Sequence, residues 1–364
     1  MLWHLFHNAF GLDMSDLSIK IVQLRNTSFA SKKPTFSVTN YRSTDIPPGL
    51  IVNGELQKPE EIRKYVQQLL GKKDKDRGIR GYWVVASIPE TQSFIKLIRT
   101  NLLPATLTEA DIFQIAKQHI PFEEEAYYLD WQRMPSAESD SKKETAILIG
   151  ATPKKIADSY TYLLESLGFG VIALEIEAVA IARSMITADK EYGEEARMIL
   201  DLGATGTSVV VYDNESIQFS TSVPFSGELL TTAIAQKLNI SHEEAEQKKK
   251  KEGIEFQKGT LWPITSSLVD DLVADLKKTI DFYYAHFPNA HRITRVVLSG
   301  GMAGMHGIGE ILTTNLGVET KTGNPWKNVS DKKTPDTKKG LEYATAIGLA
   351  LRAADNPFLS HDSV

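Results

Sequence analysis

The chain contains no cysteine among its 364 residues, which excludes disulfides and thiolate metal sites and fits a reducing compartment. No apolar run approaches the roughly 20 residues of a membrane-spanning helix. A basic excess is lacking too: the net charge of −5 gives no reason to expect nucleic acid. The eight histidines show no His-x-x-x-His spacing, so each reads as a surface or packing residue. Low-complexity tracts and solenoid repeats are absent. The opening residues are apolar but lack the basic head and small-residue cleavage site of a signal peptide. Leu2, Trp3, Leu5, Phe6 and Phe10 suit either a short amphipathic surface helix or a segment packed beside the first strand. The second reading is preferred, because so short a stretch buries too little to anchor a protein alone.

What is present is an ordinary globular composition in a chain too long for one core. Strands are expected at Ser18 to Arg25, Thr35 to Thr39 and Gly81 to Pro89, with a helix opened by Pro59 between the last two. Residues 90 to 165 change character. They read as helix, strand, strand and helix, a compact subdomain interrupting the first half of the fold. Met198 to Asp201 starts a second half. There a hairpin, helices at Gly227 to Leu238 and Ser241 to Glu252, and a long helix from Thr265 to Phe287 lead to a strand at Arg295. A last helix is expected from Leu341 to Arg352.

Three glycine-containing stretches carry the chemistry. Gly11-Leu12-Asp13-Met14-Ser15-Asp16 and Asp201-Leu202-Gly203-Ala204-Thr205-Gly206-Thr207 read alike: an aspartate, small hydroxyl residues, then a β-rich run. Leu298-Ser299-Gly300-Gly301-Met302-Ala303-Gly304 follows an apolar strand. Small residues let backbone N–H groups cradle a phosphate. Asp13 and Asp201, facing each other across a cleft, would share Mg²⁺ through water, as carboxylates commonly do. Ser15, Thr205 and Thr207 add hydroxyl donors, and Lys20 alternates onto a strand face that can reach a phosphate. A plain hairpin turn accounts for either loop alone. Their ordered set points to a nucleotide cleft in a duplicated α/β fold.

That order resembles the actin-fold (ribonuclease H-like) nucleotide-binding superfamily, with a first phosphate motif at Asp13 to Lys20, a second at Asp201 to Thr207 and an adenosine motif at Leu298 to Gly304. Connecting helices would be 174–180 and 343–350. Within the superfamily the chain is most similar to the PilM/FtsA branch. The residues bearing that likeness are Ile120-Pro121-Phe122-Glu123-Glu124, Leu129-Asp130-Trp131-Gln132 and Gly323-Asn324-Pro325-Trp326. The resemblance implies an actin-like domain I over 1–89 and 166–196, an inserted 1C-type subdomain over 90–165, and a domain II over 197–340. Residues 238–292 would form a smaller helical subdomain of domain II, and 341–364 a return helix and tail.

The same resemblance implies ATP and Mg²⁺ as ligands, with Glu246 and Lys249 at the adenosine, Gly300, Gly301 and Met302 lining base and ribose, and Glu177 near the attacking water. A solvated helix face is the competing reading of Lys248 to Lys251. Met14 and Asp16 make the first loop bulkier and more acidic than the family's usual one, so that Asp16 would repel a phosphate or add an ion ligand. The implied function is an ATP-binding scaffold of type IV pilus assembly, cytoplasmic and peripheral on the inner membrane through its partners. It would act with other platform proteins and would be at most a slow ATPase, since no arginine finger is evident. Its partner would be the extended cytoplasmic N-terminal tail of a PilN-type membrane protein, with Pro121, Phe122 and Trp131 lining an apolar groove. Self-association into an FtsA- or MreB-like filament is the alternative. A small-molecule kinase would need an aspartate base and an acceptor pocket, for which no residue pair stands out.

Overall fold

A computed structural model describes residues 6–27, 34–71, 78–102, 106–119, 124–134, 144–188, 192–330, 334 and 336–355. The chain forms two compact units, one of Met1–Ala188, Trp326–Pro335 and Thr345–Val364, the other of Asp189–Pro325 and Asp336–Ala344.

In the first unit the elements run β1 (Phe10–Ser15), β2 (Ser18–Asn26), β3 (Phe36–Asp45), β4 (Ile51–Val52), β5 (Glu55–Leu56), α1 (Pro59–Leu70) and β6 (Trp83–Ile88). They continue as β7 (Phe94–Thr100), α2 (Glu109–His119), β8 (Tyr127–Met134), β9 (Thr145–Pro153), α3 (Lys154–Ser166), β10 (Gly170–Ile176) and α4 (Glu177–Met185). The main sheet has the order β10-β6-β1-β2-β3. Its β1, β2 and β3 are antiparallel neighbours, while β1, β6 and β10 run parallel.

Helices α1 and α3 cover one face of this sheet. Ile62, Val66 and Leu69 recur at helical spacing on α1, and Tyr160, Leu163 and Leu164 on α3; all join Leu12, Ile21 and Val84 in one buried cluster. The expected inserted span of 90–165 takes in α3, yet the buried residues of α3 lie in this cluster. The insert's own cluster is Ile98, Ile112, Ala116, Ile147, Ile149 and Ala151, drawn from β7, α2 and β9. Strand β7 answers to nothing in the sequence reading. Its pairing with β9, Phe94 opposite Ala151 through Thr100 opposite Thr145, supplies the order that local pattern does not. β8 pairs along the other side of β9.

The second unit carries β11 (Glu195–Leu202), β12 (Thr207–Asp213), β13 (Ser216–Val223), α5 (Gly227–Leu238), α6 (His242–Glu252), α7 (Trp262–His286), β14 (Arg292–Ser299), α8 (Ile308–Leu316), β15 (Glu319–Thr322) and α9 (Thr337–Gly340). Its strands repeat the plan of the first unit. β11, β12 and β13 are antiparallel neighbours, and β14 and β15 extend β11 in parallel. The capping box expected at the start of α6 is formed: Ser241 and Glu244 satisfy each other's backbone N–H groups. Asp213, at the far end of β12, accepts from the Tyr283 hydroxyl at 2.5 Å and sits 2.8 Å from His291 Nδ1, tying α7 to the sheet.

The chain then returns to the first unit as α10 (Ala344–Ala354). There Leu349 and Ala353 pack with Ala180 of α4 and Val85 of β6 on the second face of the main sheet. The approach is close: a Cβ on Gly348 would stand 1.8 Å from the Ala180 carbonyl oxygen, and one on Gly11 would stand 2.5 Å from Ala346 O. Gly11 is therefore a packing glycine inside β1. The first connecting helix begins at Glu177; residues 174–176, expected to be helical, pair with β6 as strand. A glycine-clear crossing of α4 and α10 fits the small residues seen there in sequence. Residues Met1 to Leu5 lie outside the described part. Phe6 packs edge-on to Trp83 at 4.7 Å, as the packed-segment reading expects.

Candidate functional site

In the first unit the alternation of β1 separates Asp13 from Met14. Met14 turns into the core beneath α1 and α3, 2% exposed, so it does not thicken the loop as expected. Asp13 faces the other way and is buried, with its Oδ1 accepting from the Ser87 hydroxyl at 3.0 Å and Oδ2 3.6 Å from Lys20 Nζ. Lys20 also donates to Ser18 at 2.7 Å, and the Ser15 and Ser18 hydroxyls lie 3.0 Å apart. Asp13, Ser15 and Lys20 thus lie in one polar cluster. Ser87 completes it. A hydroxyl at the end of an otherwise apolar strand was the signal that sequence reasoning passed over.

Asp16 is occupied elsewhere. Both carboxylate oxygens accept backbone N–H bonds of 2.9 Å from Asn53 and Gly54, so Asp16 closes the β4–β5 turn. Tyr160 donates to Gly54 O at 2.9 Å from the opposite side. Burial, and then the negative charges of Glu177, Asp13 and Asp16, hold the Tyr160 hydroxyl well above its ordinary pKa, so it remains a donor. Glu177, the first residue of α4, accepts from Glu90 N at 3.4 Å, while Glu90 accepts from Ala178 N at 3.3 Å.

In the second unit the expected residues converge on the start of α5. The turn after β11 is closed by Gly203 N donating to Gly206 O at 2.9 Å. It is held to the helix by bonds from Gly227 N to Gly203 O (3.1 Å) and from Glu228 N to Ala204 O (2.9 Å). Ala204 and Thr205 are exposed at its tip, and Asp201 is half-buried at the end of β11. Thr207 does not reach out with them: its buried hydroxyl donates to Phe225 O at 2.7 Å. Gly300 has φ +88° and packs against Leu202, where a Cβ would meet the carbonyl oxygen at 2.5 Å; Met302 N donates to that oxygen. Gly206 and Gly301 have open space where side chains would stand, leaving the backbone approachable.

Lys249 belongs to the same group, but as a buried residue. Its ammonium donates to Gly227 O at 2.9 Å and to the Thr231 hydroxyl at 2.7 Å, and pairs with Glu246 at 2.6 Å. The solvated-face reading of the lysine run holds for its exposed members and fails for Lys249, which shares the helix's buried side with Ala245. Partial burial raises the pKa of Glu246, but hydrogen bonds from Lys249 and Thr231 outweigh it and hold the carboxyl at about 2. A cavity of about 320 Å³ opens beside the same glycine turn, lined in part by Gly304, Met305, His306, Lys321 and Lys338. That volume lies at the small end of the range for small-molecule sites.

Of the partner residues, Pro121 and Phe122 lie outside the described residues. Trp131 sits on β8, 38% exposed, on the strand face it shares with Tyr127 and Leu129, which pack against the insert's cluster, while Tyr128, Asp130 and Gln132 are exposed on the other face. Tyr128 donates to Asp158 of α3 at 3.0 Å, joining this strand to the first unit's core helix.

Two units built on one strand plan, each with an aspartate on its first strand, together with the crossing of α4 and α10, define the actin-like ATPase fold. Solved structures of that fold bear this out. The PilM-PilN type IV pilus biogenesis complex matches with a TM-score of 0.79 at 23% identity over 96% of this chain and 99% of that one. MreB 5 of Spiroplasma citri, solved bound to AMPPNP, matches at 0.51 and 11% identity over 94% and 95%. By sequence, the cell division protein FtsA of Enterococcus hirae is 21% identical over 85% of this chain and 77% of its own length. The family model for type IV pilus assembly protein PilM matches residues 11–354. The chain belongs to the PilM family of type IV pilus assembly proteins.

Proposed function

We propose that this PilM-family protein binds Mg-ATP and acts as a scaffold, presenting the inserted subdomain to the cytoplasmic N-terminal tail of a PilN-type membrane protein. The observation that carries the nucleotide half is the repeated strand plan, which gives each unit an aspartate at the same strand beside a small-residue turn. Asp13 and Asp201 would present carboxylates to a hydrated Mg²⁺, supplying the charge that offsets the phosphates. Ala204, Thr205 and Gly206 offer an exposed backbone turn, and Gly301 and Met302 with the adjoining cavity would take the nucleoside. Lys249 and Glu246 stand behind this surface and shape it, since Lys249 is buried under α5. Glu177 would orient water for a slow hydrolysis.

The partner half is supported by the exposure of Trp131 on an outer strand and by the likeness to the solved PilM-PilN type IV pilus biogenesis complex. Attachment to the inner face of the membrane would then follow from the partner. No helix of the described residues is long and apolar enough to cross a membrane. Calorimetric titration with Mg-ATP and then with a synthetic PilN-type tail peptide tests both halves. Binding of both is expected, and failure of either removes that half. The likeness to FtsA and MreB favours one other reading, a filament, for which sedimentation in Mg-ATP would pellet the protein; a scaffold stays in the supernatant.

A further inference from the structure

At the end of β14 stands a hydroxyl without a bond. Ser299 is 0% exposed, and its Oγ has no hydrogen-bond partner among the described residues. Buried polar groups are nearly always paired, so an unpaired one calls for a reason. The first unit supplies one. There β1 runs parallel to β6 with Leu12 opposite Ala86, which brings Asp13 beside Ser87, and the Ser87 hydroxyl donates to Asp13 at 3.0 Å. The second unit repeats the arrangement: β11 runs parallel to β14, and Asp201 stands opposite Ser299. Residues in register on neighbouring parallel strands project from the same face of the sheet. Each unit therefore ends its first strand with an aspartate and the neighbouring parallel strand with a serine. One serine is bonded to its aspartate, and the other has spent nothing.

We propose that Ser299 is a positioning residue for Asp201. Its hydroxyl donates to one carboxylate oxygen when Asp201 turns to hold the hydrated magnesium of a bound nucleotide, as Ser87 already does for Asp13. This inference rests on the nucleotide reading above. A donor on one oxygen fixes the carboxylate's rotamer and leaves the other oxygen facing the ion's water, the usual work of a group behind a ligand. The backbone around Ser299 is held in place. Gly300 N donates to Leu341 O, and Gly300 is pressed against Leu202, so the response is confined to the Ser299 hydroxyl and the Asp201 side chain.

The test compares wild type, Ser299→Ala and Ser299→Thr by calorimetric titration of ATP across a Mg²⁺ series and in EDTA, with urea denaturation of each protein free of nucleotide. Ser299→Ala is expected to be at least as stable as wild type without nucleotide, because it removes an unpaired hydroxyl. Its Mg²⁺-dependent gain in ATP affinity is expected to fall about tenfold, the scale of lost support behind a metal ligand, with affinity in EDTA unchanged. Ser299→Thr should restore the gain. An Ala variant with the wild-type Mg²⁺ dependence would overturn the inference and leave the nucleotide reading intact, and so would an Ala variant that is destabilised without nucleotide. Wild type that fails to bind Mg-ATP at all would overturn both.

Discussion

Glu90 and Glu177 are laced together through each other's backbones. The Glu90 amide donates to the Glu177 carboxylate, and the Glu90 carboxylate accepts from Ala178 N at the start of α4. Negative charge at a helix N-terminus is favourable, so both carboxylates are stabilised where they stand. Glu177→Gln keeps an acceptor for the Glu90 amide and should stay within about 0.5 kcal/mol of wild type. The same change should abolish the slow release of phosphate expected from the bound nucleotide. Single-turnover phosphate release beside a urea melt checks both outcomes; an unchanged rate would remove Glu177 from the chemistry.

Asp201→Ala should leave folding intact while erasing Mg²⁺-dependent stabilisation by ATP. Wild type at a hundredfold excess over Kd should gain about 2.7 kcal/mol from ligand binding. A thermal shift series with and without Mg²⁺ reads this directly, and a variant shifted as far as wild type would count against the ion site.

Trp131→Ala should weaken binding of a PilN-type tail peptide by tens of fold, the loss of about 2 kcal/mol or more typical of an aromatic anchor. Because the indole is 38% exposed, stability should change little. Equal losses in peptide and Mg-ATP affinity would mean that the residue serves the fold.

Lys249→Met should destabilise by about 3–5 kcal/mol, because it leaves Glu246 and the Gly227 carbonyl without their buried partner. The pair also sets an acid dependence. The Glu246 pKa is depressed in the folded protein from 4.5 to about 2, so its contribution is full above the unfolded value and lost as pH falls from about 4.5 toward 2. Urea midpoints measured between pH 6 and pH 2, in steps of about half a unit, should fall less steeply in the variant over that window.

Gly348→Ala should cost about 3 kcal/mol or more, because the new methyl would stand 1.8 Å from the Ala180 carbonyl oxygen and the helices must part. Gly304→Ala, with nothing within 4 Å of the added carbon, is the control and should be neutral. Equal urea midpoints for the two variants would contradict the close crossing.

Much of the fold was legible because its signals are local. Small-residue stretches after apolar strands marked the turns that close β11 and β14, and Ser241 with Glu244 marked a helix start. Other features depend on partners remote in sequence. Residues 94–100 become strand by pairing with 145–151, a relationship no local pattern announces. Leu174 to Ile176 carry an apolar pattern open to either helix or strand, and β6 decides it. Within the candidate site, Asp13 and Lys20 were readable from their motif. Asp16 was misleading, since the backbone that claims its charge lies 37 residues away at Asn53. Lys249 was legible as part of a charged run, but its burial follows from Thr231 and Gly227 on another helix.

The return of α10 to the first unit has a consequence for synthesis. The cover of Val85 and Ala180 is completed when Leu349 and Ala353 arrive, after the whole second unit has been made. At roughly 5–20 residues per second, the stretch from Ala180 to Leu349 takes on the order of 10–30 s to emerge. During that interval the nascent first unit carries an apolar sheet face that α4 covers only in part, while most of the second unit can already close on itself. Chaperone demand, and the damage done by premature stops near the end of the gene, should therefore fall on the half of the protein that is made first.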